Sequence, residues 1–142
     1  MTLTLDQRVI PMLSYEDVGA AADWITKAFG FEELERFDFE GRVAHAALAF
    51  EGAVVFLGSP GVDYKSPKTL AAECESVRKV LETPYVVDGV MVYVDDVNAH
   101  FERARAAGAT MLSELEDNPA VEQRQYRAED VEGHRWMFAQ AI

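Results

Sequence analysis

The 142-residue sequence predicts an α+β fold of two tandem βαβββ modules, forming a cavity-enclosing mixed sheet with helices on the outer face. Three observations lead there. Glu51-Gly52 recurs as Glu132-Gly133, 81 residues on, each pair running into an apolar strand. Asp17, at the head of one helical pattern, recurs as Asp96 at an offset of 79. The glycines that close those two patterns, Gly30 and Gly108, stand 78 apart. An internal repeat at near-constant spacing determines architecture more strongly than local propensity does.

Val9 to Tyr15 is a short apolar run with Pro11 inside it, which suits an edge strand because proline donates no ladder hydrogen bond. Asp17 can cap a helix whose Val18, Ala22, Ile25 and Phe29 fall at helical spacing, with Gly30 where a left-handed residue is wanted. Phe31–Phe39, Arg42–Phe50 and Ala53–Gly58 read as strands separated by Glu40-Gly41 and Glu51-Gly52, two-residue links whose glycine tolerates positive φ. Ser66-Pro67 then opens a helix whose Leu70, Cys74, Val77 and Leu81 form one apolar stripe. From Val86 the order repeats: a strand to Val94, a helix carrying Val97, Phe101, Ala104 and Ala107, then strands at 110–115, 123–128 and 134–140. One domain spanning 1–142 is expected, with module 1 at 8–58, a helical connector at 59–85 and module 2 at 86–142.

With 49% hydrophobic residues the chain can bury one good core. A net charge of −12 repels phosphate backbones and anionic lipid, so no nucleic acid and no membrane is expected as partner; an acidic surface also attracts cations. No apolar run approaches a membrane span and residues 1–6 carry no secretion signal, which predicts a cytoplasmic protein. The single Cys74 excludes an intrachain disulfide, and its place in the apolar stripe predicts a buried, inert thiol.

The paired βαβββ modules, the glycine after each helix and the final D-x-x-G run Asp130-Val131-Glu132-Gly133 feeding a hydrophobic strand resemble the vicinal-oxygen-chelate superfamily. That superfamily includes glyoxalase I, extradiol dioxygenases, fosfomycin-resistance enzymes and bleomycin-resistance binding proteins. Its metal-dependent members place a His, Glu or Gln on the first and last strand of each module. The matching positions here are Ile10, Phe56, Gly89 and Met137, and none suits a divalent cation that wants imidazole or carboxylate. Among neighbouring positions only Asp88 could help, and one carboxylate does not make a site. The resemblance therefore implies the fold and a cavity, with no metal and no other cofactor.

Strand alternation indicates the cavity lining. Two-residue links would place Ala49, Ala47 and His45 opposite Val54, Phe56 and Gly58, Arg36 and Asp38 opposite His45 and Val43, and Asp130, Ala128 and Tyr126 opposite Arg135, Met137 and Ala139. The expected ligand-binding residues are Met12, Arg36, His45, Phe56, Met91, Tyr93, Arg124, Tyr126, Arg135 and Met137: an apolar, thioether-rich wall with few orienting donors, as small-molecule pockets have. Leu48, Phe50, Val55, Leu57, Trp136 and Phe138 should pack beneath the helices. His100 is expected on a solvated helix face.

Two functions compete. The first is a metal-free sequestering protein, homodimeric as the resemblance implies, binding an aromatic or cationic small molecule between the modules. The second is a glyoxalase-like lyase or isomerase with His45 as general base.

Overall fold

Asp17 and Asp96 start their helices in the same way. Each has an extended backbone, and its carboxylate accepts the backbone N–H three residues on, from Ala20 at 2.9 Å and Ala99 at 3.0 Å. Gly30 closes the first helix in the left-handed region at φ 80°. In this computed structural model, residues 6–84 and 88–142 are described. Tyr85 and the expected strand positions Val86 and Val87 lie outside them. The chain divides into two compact units, Met1–Ser66 and Pro67–Ile142.

In the first unit, β1 (Met12–Ser14), α1 (Val18–Phe29), β2 (Glu32–Phe39), β3 (Arg42–Phe50) and β4 (Ala53–Gly58) follow the expected order. The sheet runs β1-β4-β3-β2, with β1 parallel to β4 on one edge and the other pairs antiparallel. Edge placement accommodates Pro11, which contributes only its carbonyl, accepting Phe56 N–H at 2.9 Å. α1 lies on β3 and β4, burying Ile25 and Phe29 completely against a sheet face that includes Leu48 and Leu57. Each such side chain contributes about 1.5–3 kcal/mol of apolar burial. Glu51 and Gly52 both take positive φ, 47° and 84°, the two-residue turn that matches strand twist. The register across it pairs Ala49, Ala47 and His45 with Val54, Phe56 and Gly58, as alternation predicts.

The second unit contains α2 (Pro67–Glu73), α3 (Glu75–Val80), β5 (Gly89–Tyr93), α4 (Val97–Ala106), β6 (Thr110–Met111), β7 (Glu116–Asn118), β8 (Gln123–Glu129) and β9 (Arg135–Ala141). Its sheet runs β5-β9-β8-β6, with β7 also pairing β8 and β5 parallel to β9. The strand expected at 110–115 is interrupted: only Thr110–Met111 and Glu116–Asn118 pair with β8, and Ser113 Oγ takes Arg127 N–H between them at 2.9 Å.

The connector helix is also corrected. It breaks at Cys74, whose extended backbone heads α3, and the change of direction rotates the thiol out of the stripe, leaving it exposed. Leu70, Val77 and Leu81 line an apolar surface groove of about 310 Å³ instead of a core. Among the described residues no helix is long and apolar enough to cross a membrane.

The larger departure is at Asp130–His134. Glu132-Gly133 is not a two-residue turn there; five residues separate Glu129 from Arg135, which pair directly. The Asp130 carboxylate explains why. One oxygen accepts the N–H groups of Glu132 and His134, both at 3.0 Å, and the other accepts Trp136 Nε1–H at 3.0 Å. Gly133 takes φ 91°, and a Cβ there would lie 2.9 Å from Lys68 N, so the start of α2 rests on this turn. Asp130→Ala would leave two backbone N–H groups and an indole N–H without their acceptor. Urea denaturation should show a loss of about 3 kcal/mol, and a change below about 0.5 kcal/mol would remove the turn from this role.

Candidate functional site

Each sheet packs one face beneath α1 or α4, and the candidate chemistry lies on the opposite, helix-free faces, the second of which meets α2 and α3 only at its Glu129–Arg135 end. On the first, Phe56 of β4 is flanked by Met12 of β1 and Ala47 of β3, its register partners. His45 packs edge-on to Phe56 with ring centroids 4.9 Å apart, and Phe37 of β2 stacks on His45 at 5.7 Å. The neighbour of this cluster is Glu35, partner of Ala47. Its Oε1 lies 3.9 Å from His45 Nε2, within ion-pair range and beyond a hydrogen bond. Its Oε2 is buried and has no hydrogen-bond partner among the described residues. An uncompensated buried carboxylate oxygen is costly and signals a missing partner.

Arg36, expected beside His45, is on the other face. A bulge between the Phe37–His45 and Asp38–Val43 pairs adds Ala44 to β3, so Phe37, Arg36 and Glu35 each meet a partner one position away from expectation until a second irregularity at Leu34 restores the register at Glu33–Leu48. A slip of one residue reverses every side chain. Arg36 therefore reaches α1, with ion pairs of 2.6 Å to Glu33 and 2.8 Å to Asp23, and these carboxylates hold its pKa above the ordinary guanidinium value. Glu35 and Phe37 take the helix-free face in its place.

The same arithmetic of faces acts on the second sheet. The five-residue turn pairs Arg127 with Met137, Gln125 with Ala139 and Tyr126 with Phe138. Tyr126 and Arg124, both expected in the cavity, thus lie under α4. Arg124 donates to Asn98 Oδ1 at 2.8 Å and pairs with Asp117 at 3.1 Å. Tyr126 is fully buried, stacked on Phe138 at 5.3 Å, with its hydroxyl 2.6 Å from His100 Nδ1. His100 is accordingly buried rather than solvated, its ring 4.2 Å from that of Phe138. Burial disfavours the phenolate and pushes the Tyr126 pKa up.

Met91, Tyr93, Arg135 and Met137 take the helix-free face, Met91 and Met137 side by side in register. Met91, Arg135 and Met137, but not Tyr93, line a cavity of about 290 Å³ with Leu112, Arg127 and Asp88. Arg135 lines it but is largely occupied elsewhere: it donates to Glu129 at 2.9 Å and to the Leu81 and Thr83 carbonyls at 2.6 and 3.2 Å, tying down the end of α3. Tyr93 donates to Gln123, which donates to Gln125, at 3.1 and 2.7 Å. Glu35, Phe37, Gln123, Gln125 and Arg127 are the residues on these faces that sequence alternation missed. Asp130, three residues ahead of Gly133, was the available signal for the longer turn; for the β2 bulge there was none.

The register also tests the metal positions. Phe56 and Met137, two of the four expected metal positions, carry a phenyl ring and a thioether where a chelating member has carboxylate or imidazole, and their register partners Met12 and Met91 add only thioethers. Among the described residues no three His, Cys, Asp or Glu side chains come together as a metal-holding group. These residues do not fit a divalent cation.

A four-stranded and a five-stranded mixed sheet, each with a helix packed on one face and, among the described residues, no chelating set, define a βαβββ fold poor in metal ligands. The chain belongs to the glyoxalase/bleomycin resistance protein/dioxygenase superfamily, whose profile matches residues 9–138. The uncharacterized protein Mb0911c of Mycobacterium bovis is 30% identical over 143 aligned positions, covering 100% of this chain and 88% of that protein. TioX from Micromonospora sp. ML1 is similar in structure with a TM-score of 0.69 and 32% identity, over 96% of this chain and 97% of TioX. The fosfomycin resistance protein FosX from Listeria monocytogenes shares the fold at a TM-score of 0.65 and 12% identity, over 98% and 96% of the two chains.

The Tyr126 assignment is testable by two measurements. Its phenol should be missing from the 295 nm absorbance rise near about pH 10 and appear only on unfolding, since burial favours the neutral form. Tyr126→Phe should cost about 1–2 kcal/mol in denaturant melts by removing the buried phenol–imidazole hydrogen bond, and should leave small-molecule affinity unchanged.

Proposed function

We propose that this chain is a metal-independent small-molecule-binding protein that takes an aromatic ligand on its helix-free sheet faces, in the manner of a sequestering rather than a chelating superfamily member. One observation carries the reading: Phe56 and Met137 stand at two of the positions expected to hold a metal, with the thioethers of Met12 and Met91 beside them in register. Methionine adapts to planar ligands and makes favourable sulfur–aromatic contacts. The cavity of about 290 Å³ beside Met91 and Met137, with Arg127 at its wall, has the apolar, sparsely polar character of a ligand site. The reading extends to a homodimer, supported by apolar side chains left outside, among them Met12 at 79% and Tyr93 at 61% exposure, and to the cytoplasmic location expected from the sequence.

A second reading, a lyase or isomerase with His45 as general base, draws on the Glu35 carboxylate 3.9 Å from the imidazole, which could orient it. Turnover that survives His45→Ala would remove it.

The first reading is tested with the neutral fluorescent probe N-phenyl-1-naphthylamine and by metal analysis of natively purified protein. The probe should bind saturably, and Met137→Asp should weaken it by about tenfold by placing a carboxylate in the apolar wall. Stoichiometric nickel, zinc or manganese in the purified protein, or no saturable binding, would overturn it.

A further inference from the structure

We infer that Glu35 is the recognition carboxylate for a cationic nitrogen on the ligand, a protonated amine or amidinium borne on an aromatic group, with His45, Phe37 and Phe56 as the surrounding walls. This rests on the reading that the helix-free faces take a small molecule.

Four features of the first sheet lead to that chemistry. The Glu35 side chain is only 10% exposed, and its Oε2 has no hydrogen-bond partner among the described residues. Its nearest cationic candidate is His45, whose Nε2 stands 3.9 Å from Oε1, too far to donate to either oxygen. The arginine next in sequence is turned to the opposite face and bound to Glu33 and Asp23. Glu35 is thus a desolvated acceptor with an open valence, which a charged N–H donor satisfies more strongly than a neutral one.

The walls fit the same ligand. Phe37, 43% exposed, and the His45 side chain, 29% exposed, form the approach to the carboxylate, and Phe56 stands edge-on behind them. Aromatic faces attract a cation and stack on a planar group. The net charge of −12 draws cations toward the protein over a longer range, which raises encounter without choosing a site.

The test pairs benzamidinium with benzamide, its neutral near-isostere, in calorimetric titrations of the full chain. Wild type should bind benzamidinium at least about tenfold more tightly, a charge-assisted hydrogen bond's worth of discrimination. Glu35→Gln, which keeps the side chain's shape, should reduce that preference to within about twofold while binding N-phenyl-1-naphthylamine as wild type does. Glu114→Gln removes the same charge from an exposed position of the second unit and should keep the preference. An amidinium preference absent in wild type, or surviving Glu35→Gln, overturns the inference even with the neutral probe still bound, and leaves the proposed function standing. A Glu114→Gln variant that loses the preference equally assigns it to net charge and also overturns the inference. Failure of the neutral probe and both benzene probes to bind overturns both.

Discussion

Asp130 accepts three hydrogen bonds within seven residues, from the N–H groups of Glu132 and His134 and from the Trp136 indole. Those bonds close a five-residue turn and fix where β8 meets β9. Strand pairing has a period of two, so the placement of one turn residue decides the face of every side chain that follows. Arg127, Gln125 and Gln123 reach the helix-free face because of it, and Tyr126 and Arg124 go beneath α4. The turn also holds the connector, since Lys68 N–H donates to the Glu132 carbonyl at 3.1 Å.

Beneath α4 the consequence is a polar pair inside an aromatic core. His100 and Tyr126 satisfy one another while stacking on Phe138, and Trp136 lies parallel to Phe138 at 6.2 Å. A buried imidazole and phenol are tolerable only when paired, which fixes the α4 register against β8 and β9 more narrowly than Val97 and Ala104 alone would. His100, Tyr126 and Phe138 are taken up by packing in that layer, while Met91 and Met137 stand on the opposite face of the second sheet.

The first sheet departs from its duplicate in the opposite sense. There the turn is the short one and the register across Glu51-Gly52 is regular, but β2 and β3 carry two irregularities. They bring an acidic residue and a phenyl ring to the face where alternation would have put an arginine. One module has thus kept a carboxylate beside a histidine, and the other a pair of thioethers. Among the described residues neither collects enough hard donors for a divalent ion, so the superfamily's fold carries a different side-chain chemistry here.

The repeat, the two Asp caps, Gly30 as helix stop, the strand order of the first unit and the Phe56 and Met137 positions were all legible from sequence. They depend on local periodicity and on residue types whose backbone preferences act within a few residues. His45 and Phe56 could be placed on one face because a two-residue positive-φ turn leaves a single register. Arg36, Tyr126, Arg124, His100 and Cys74 could not, since each depends on a bulge, a longer turn or a helix break whose cost is offset by contacts distant in sequence. What only the tertiary structure decided was the facing of side chains beyond such irregularities, and with it the meeting of Glu35 and His45. A one-residue change in pairing is nearly invisible to local propensity, yet it exchanges the buried face of a strand for the exposed one.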